Sequence, residues 1–182
     1  MKKVVKFGGS SLASAEQFMK VGAIIRADES RRYVVPSAPG KRFSDDTKVT
    51  DMLYHCYELA EQSKAFNKQL NQIKDRYNEI INGLKLDFSL DEDFEIIKKQ
   101  FVAKAGSMYA ASRGEYLNGK IMAKYLGYEF VDAANVIRFN KDGSFDSETT
   151  NELLATYLDK IERAVIPGFY GAMKNGTVVT FS

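Results

Sequence analysis

The chain is poor in the residues that carry most covalent and metal chemistry. Its 182 residues include one cysteine, Cys56, and one histidine, His55. A lone cysteine excludes an internal disulfide framework and suits a reducing compartment. A lone histidine rules out His-pair metal sites and leaves no second imidazole for a Ser-His-Asp triad. Its place beside Cys56 in a helical pattern makes it a helix-surface residue. Charge is also nearly balanced, 26 basic against 24 acidic residues for a net +2, which argues against a nucleic-acid or membrane-surface protein. No run approaches the roughly 18 apolar residues of a membrane span. Met1 to Leu12 carries three lysines but only short apolar runs, so no secretory signal is read there. Internal repeats and low-complexity segments are absent. So are the two standard glycine motifs: Gly8 plus five is Ala13, Val35 stands five before Gly40, and no Gly-x-Gly-x-x-Gly occurs.

What is present begins at the amino terminus. Lys2 to Phe7 reads as a strand buried on both faces, closed by Gly8-Gly9. These glycines permit backbone angles closed to other residues and let main-chain N–H groups approach a ligand. Ser14 with Gln17 has the form of a capping box, so a helix follows at once. Strand, glycine turn and helix start form an anion site with Lys6 on the strand end. An ordinary tight βα turn with a surface lysine suits the same residues.

Phe18, Val21, Ile24 and Ile25 mark one helical face, and Arg31 to Val35 reads as a second buried strand running into Pro36-Ser37-Ala38-Pro39-Gly40. A βαβ unit of this length is parallel and right-handed, which puts the Gly8-Gly9 and Ser37 turns on one sheet edge, where α/β proteins bind ligands. Lys41 to Thr47 is a charged loop near that edge, or a solvated connector. A helix opens at Thr50-Asp51, and Ala65 to Leu84 keeps a 3.6-residue apolar period through Phe66, Leu70, Ile73, Tyr77, Ile80 and Ile81. Ser89 with Glu92 reads as a capping box for a helix through Phe101. The stretch 65–105 is thus a helical insertion in one α/β domain. Ala105 to Leu126 is helical with a stop or bend at Gly106 and near Gly114. Glycine there costs roughly 1 kcal/mol against alanine. Either a bend turns Glu115 toward a polar ligand, or Gly114 packs closely and Glu115 lies in solvent. Tyr128 to Asp132, Val136 to Phe139, Ala164 to Pro167 and Thr177 to Phe181 read as strands. Lys141-Asp142-Gly143 and Asn175-Gly176 are turns, and Ser147 to Ile161 is a helix.

Lys6-Phe7-Gly8-Gly9-Ser10-Ser11, Ser37-Ala38-Pro39-Gly40, Thr50-Asp51, Ser112-Arg113-Gly114-Glu115 and Pro167-Gly168-Phe169-Tyr170-Gly171, in this order, resemble aspartokinase of the amino-acid kinase family. The resemblance covers the whole chain. It implies an α/β fold, a three-layer αβα sandwich on a mainly parallel sheet. The implied reaction moves the γ-phosphoryl group of ATP, carried with Mg²⁺, to the β-carboxylate of L-aspartate. By the same resemblance, Lys6, Gly8, Gly9 and Ser10 bind phosphate, with Lys6 catalytic. Ser37, Thr50 and Glu115 bind the amino acid, and the Gly168 to Gly171 loop shapes the pocket. Arg113 stands where many relatives have Phe, and Lys41 to Val49 lengthens the loop before Thr50. In the family, the position of Ser182 leads into an Arg-Gly-Gly-Ser-Asp motif, a nucleotide-binding half and ACT domains. The resemblance therefore implies the amino-terminal, aspartate-binding part of a cytoplasmic, homo-oligomeric enzyme, inactive as an isolated chain. A non-catalytic amino-acid-binding or assembly module, or another amino-acid kinase specificity, is the alternative.

Overall fold

The computed structural model describes residues 1–181. Four strands form a parallel sheet in the order β1 (Lys3–Phe7), β2 (Arg31–Pro36), β6 (Ala164–Val165), β3 (Glu129–Phe130). Alternate residues of these strands feed two cores. Val34 and Val165 point into the larger one, with Phe18, Val21 and Ile25 of α1 (Ala15–Arg26). Tyr33 and Ala164 point the other way, toward Val136 of α6 (Ala133–Val136) and Leu154 and Leu158 of α7 (Ser147–Asp159). Helices therefore lie on both faces, and the chain has the expected α/β architecture.

β1 departs from expectation. Val5 and Phe7 pack against the larger core, but Val4 is 67% exposed and Lys6 is exposed as well. β1 is the edge strand, and the α6–α7 layer that covers β2 and β6 stops short of it.

The three helices that follow β2, one before the insertion and two within it, supply most of the larger core. α2 (Val49–Glu61), α3 (Asn67–Gly83) and α4 (Asp91–Val102) contribute Leu53, Tyr57, Leu70, Ile73, Tyr77, Ile80, Phe94, Ile97 and Phe101, all buried. The helix expected after Ser89 begins at Asp91, and Ser89 Oγ accepts the Asp91 N–H rather than closing a capping box. Against this layer lies α5 (Ser107–Leu126), which runs unbroken through Gly114. The bend expected there does not occur. Gly106 does set the helix start, with φ of 101°. Gly114 instead serves close packing, because a Cβ there would lie 2.8 Å from the Ala38 Cβ and 3.4 Å from Leu53 Cδ1.

The carboxy-terminal part differs more. Asp132 caps α6 by accepting the Ala134 N–H, so the strand expected from Val136 shrinks to β4 (Arg138–Phe139). β4 does not join the parallel sheet. It lies in a second sheet, β5 (Phe145–Asp146), β4, β7 (Tyr170–Met173), β8 (Val178–Thr180), closed by the two expected turns.

The glycine turn and the Ser37 turn are neighbours, as the βαβ argument requires. Ser37 N–H donates to Phe7 O at 3.0 Å and Gly40 N–H to Gly9 O at 2.8 Å. Between β1 and α1 stands one turn of 3₁₀ helix, Gly9–Leu12, and α1 starts only after Ser14, whose Oγ accepts the Gln17 N–H. Gly8 has φ of −76°, open to any residue. What these glycines give is space. A Cβ on Gly9 would lie 2.8 Å from Ala38 O, and one on Gly40 would lie 2.7 Å from the Gly9 carbonyl carbon. A Cβ on Gly8 would meet nothing within 4 Å. Gly40→Ala is therefore expected to cost about 1–3 kcal/mol in urea unfolding by forcing two backbones apart. Gly8→Ala should stay within about 0.5 kcal/mol of wild type.

Candidate active site

Between the two turns and α5 lies a cleft of about 440 Å³. Gly9 and Ser10 line one side, Ser37 and Thr50 another, and Glu115 lines it from α5. Lys41 and Lys48 complete the wall. Among the expected residues, Lys6 and Gly8 stand beside the cleft rather than in its lining, Lys6 across the register from Val35. Thr50 reaches the cleft across the lengthened loop, with its Oγ1 3.8 Å from where a Gly114 Cβ would sit. The Gly168–Gly171 segment is not among the lining residues; Gly168 donates to Pro36 O, and Tyr170 and Gly171 belong to β7.

Glu115 resolves the two accounts of its stretch by taking half of each. Gly114 is indeed a packing glycine, yet Glu115 is only 6% exposed. One carboxylate oxygen, Oε1, accepts the Ala38 N–H at 3.0 Å, while Oε2 is buried with no partner among the described residues. A buried acceptor left open is costly and wants a donor. Burial pushes the Glu115 pKa up from 4.5 to about 7, against the pull of the Ala38 amide and of the Arg113 and Lys6 charges.

Three neighbours escaped sequence reasoning. Asn118, fully buried one turn along α5, donates to Ser37 O at 2.7 Å and leaves its Oδ1 open. The signal was the i, i+3 spacing of two polar residues on a buried helix face. Lys48, which completes the cleft wall, sits next to Thr50 and could be read only as a loop charge. Arg76 stands inside the apolar period of α3 and reaches two acceptors, Gly40 O at 3.1 Å and Asp46 Oδ2 at 2.6 Å. Asp46 also takes Arg42, so the loop from Lys41 to Thr47 is clasped through Asp46 although Lys41 and Arg42 themselves are exposed to solvent.

A larger groove of about 540 Å³ between α2 and α3 holds none of the expected site residues, and its Asp46 and Glu79 are already paired with arginines. His55 lies at its rim, exposed on α2 as expected, while Cys56 beside it is buried with its thiol pKa pushed up to about 12. Among the described residues no three His, Cys, Asp or Glu side chains converge in a way that could hold a metal ion. No helix among them is long and apolar enough to cross a membrane.

The chemistry of the cleft follows from its donors. Gly9 and Ser10 begin a helical turn, so no intrahelical carbonyl takes their N–H groups, and they can face an anion. Glu115 Oε2 can face a cation. A ligand with an ammonium group and an acidic group a few bonds apart would satisfy both. Because the folded pKa of Glu115 exceeds the unfolded one, its protonation favours folding. That contribution is complete below about pH 4.5, is lost as pH rises through 7, and amounts to about 3 kcal/mol. Glu115→Gln keeps the acceptor for Ala38 and removes the charge. It should be more stable than wild type by about 1–3 kcal/mol at pH 8 and gain nothing near pH 4.5, as read by urea unfolding across pH.

Aspartokinase 3 of Bacillus subtilis (strain 168) is 34% identical over 194 residues, covering 99% of this chain and 43% of that protein. The crystal structure of Clostridium acetobutylicum aspartate kinase matches with a TM-score of 0.96 at 49% identity, over 100% of this chain and 42% of that one. E. coli aspartokinase III, solved in complex with aspartate and ADP, shares the fold with a TM-score of 0.80 at 22% identity, over 99% and 43% of the two chains. The chain thus spans about two-fifths of the length of these relatives. The profile of the amino acid kinase family matches residues 1–181, and the chain belongs to that family.

Proposed function

We propose that these residues form the amino-terminal, aspartate-binding part of an aspartate kinase. The reaction moves the γ-phosphoryl group of ATP to the β-carboxylate of L-aspartate, giving 4-phospho-L-aspartate. The observation that carries the reading is the open Glu115 Oε2, buried in a cleft whose other side is the Gly9–Ser10 turn. The 49% identity to an aspartate kinase over the whole chain supports it. The base and ribose of ATP are then held by the part of such proteins beyond the matched stretch, so residues 1–182 alone give no steady turnover. A cytoplasmic, homo-oligomeric protein belongs to the same proposal.

Each residue has a distinct task. The acceptor carboxylate, with a pKa near 4, is ionised at neutral pH and needs no general base. The difficulty is to bring two anions together, which requires compensating charge and alignment. Lys6, at the exposed end of β1, neutralises the transferring group, and the N–H groups of Gly9 and Ser10 hold its oxygens, with Gly8 leaving the approach open. Glu115 takes the ammonium, and Ser37 and Thr50 hydrogen-bond the amino acid. Mg²⁺ bound to the ATP phosphates supplies further charge.

The roles separate in kinetics. In the full-length protein, with ATP-dependent hydroxamate formation as the readout, Glu115→Ala should chiefly raise KM for aspartate, by about tenfold or more. Lys6→Ala should chiefly lower kcat, by about a hundredfold or more. A kcat for Lys6→Ala within about threefold of wild type, under roughly 1 kcal/mol of barrier, would refute its role.

A further inference from the structure

The turn from Ser37 to Gly40 joins the two sides of the cleft and is tied at nearly every peptide group. Pro39 lacks an N–H, and the other three are all committed: Ser37 to Phe7 O, Ala38 to Glu115 Oε1 and Gly40 to Gly9 O. Three of the carbonyls are held as well. Pro39 O accepts the Val49 N–H at 3.2 Å. The other two are held by side chains that the assigned roles leave idle. Asn118 Nδ2 of α5 donates to Ser37 O at 2.7 Å, and Arg76 Nη2 of α3 donates to Gly40 O at 3.1 Å. Both stand where an apolar residue would suit the packing. Asn118 is fully buried beside Leu117, Ile121 and Met122, and Arg76, 4% exposed, interrupts the buried run of Ile73, Tyr77 and Ile80. Each also leaves one buried atom, Asn118 Oδ1 and Arg76 Nε, without a partner among the described residues. An unpartnered polar atom in the interior lowers stability, so neither residue is well chosen merely to hold helices together.

What the two side chains do hold is the spacing of the turn. Asn118 grips its Ser37 end from the same face of α5 that carries Glu115. Arg76 grips Gly40, whose backbone lies against Gly9, and its other arm takes Asp46 of the adjoining loop at 2.6 Å. We propose that Asn118 and Arg76 are positioning residues for phosphoryl transfer, clamping the turn at its two ends and so fixing the distance between Glu115 and the Gly9–Ser10 N–H groups. The proposal rests on the aspartate-kinase reading and adds no ligand contact to it. Arg76 acts through Gly40 on the turn that holds the transferring group. Asn118 acts through Ser37 on the side that meets the amino acid. Such spacing matters, because a shift of about 1 Å between reacting groups costs on the order of a hundredfold in rate.

The two clamps should separate in the kinetics of the full-length protein, read by ATP-dependent hydroxamate formation. kcat is expressed per L-aspartate-binding site counted by calorimetry, so that a loss of folded protein alone does not move it. Arg76→Met should lower kcat by about tenfold or more and leave KM for L-aspartate within about threefold. Arg76→Lys keeps the charge but not the fork that spans Gly40 O and Asp46, so kcat should still fall by about fivefold or more. Asn118→Ala should raise KM for L-aspartate by about fivefold or more and leave kcat within about threefold. Ile97→Val, a core truncation in α4 outside the cleft lining, is the control for lost stability, and both constants should stay within about twofold. Where Arg76→Met or Asn118→Ala yields no folded protein, Arg76→Lys or Asn118→Ser takes its place. Smaller effects, the same constant moved by both residues, or wild-type kcat in Arg76→Lys overturns the proposal. If Glu115→Ala and Lys6→Ala still divide as described above, the aspartate-kinase reading stands without the clamps. A wild-type protein with no aspartate-dependent hydroxamate signal removes both.

Discussion

Helix α5 can lie against the end of β2 only because residue 114 has no side chain, and this contact puts the Glu115 carboxylate on the Ala38 amide. The same turn is fastened to the β1 turn by the Gly40–Gly9 hydrogen bond, and Asn118 ties α5 to Ser37. Three segments far apart in sequence therefore meet at backbone distance. Their side chains inherit positions that no loop could hold as well. Tyr77 of α3 adds a further tie by donating to the Gly114 carbonyl at 2.7 Å, so the inserted helices steady the same turn of α5.

Electrostatics at this junction are set by compensation. Burial raises the Glu115 pKa to about 7, while the Ala38 amide, Arg113 and Lys6 pull the other way. Arg113 is itself buried, with its guanidinium 4.7, 4.4 and 5.4 Å from the ring centroids of Tyr109, Tyr116 and Tyr170. A flat cation against aromatic faces occupies space that a phenyl ring would also fill. Tyr116 and Tyr170 pass hydrogen bonds on to Asp93 and Asp132, so the cation is balanced at one remove.

Much of this was legible in the residues. The βαβ unit, the meeting of the two turns and the apolar stripe of α3 follow from periodicity and chain handedness. The gathering of Gly9, Ser10, Ser37, Thr50 and Glu115 in one cleft follows from the motif set. Three kinds of feature were not legible. Edge position is a property of the whole sheet, so the exposure of Val4 could not be read from a strand that looks apolar. Glycine in a helix can mean a bend or a close neighbour, and only the neighbour, Ala38, decides. The division of the carboxy-terminal strands between two sheets turns on Asp132 capping a four-residue helix, a local bond that outweighs the strand propensity of Val136 and Ile137.

The order of strands in the parallel sheet carries a consequence for how the chain is made. β6 lies between β2 and β3, so β3, although synthesised first, has no sheet partner until residues 164 and 165 emerge. Those two residues, fully buried, fasten both halves of the sheet. The cleft, by contrast, is lined wholly by residues 9 to 115. During translation its walls are complete while part of the sheet beneath them still waits for a late, long-range pairing. Substitutions at Ala164 or Val165 should therefore act on the yield of folded chain more than on the chemistry of the cleft, although these residues contact no ligand group.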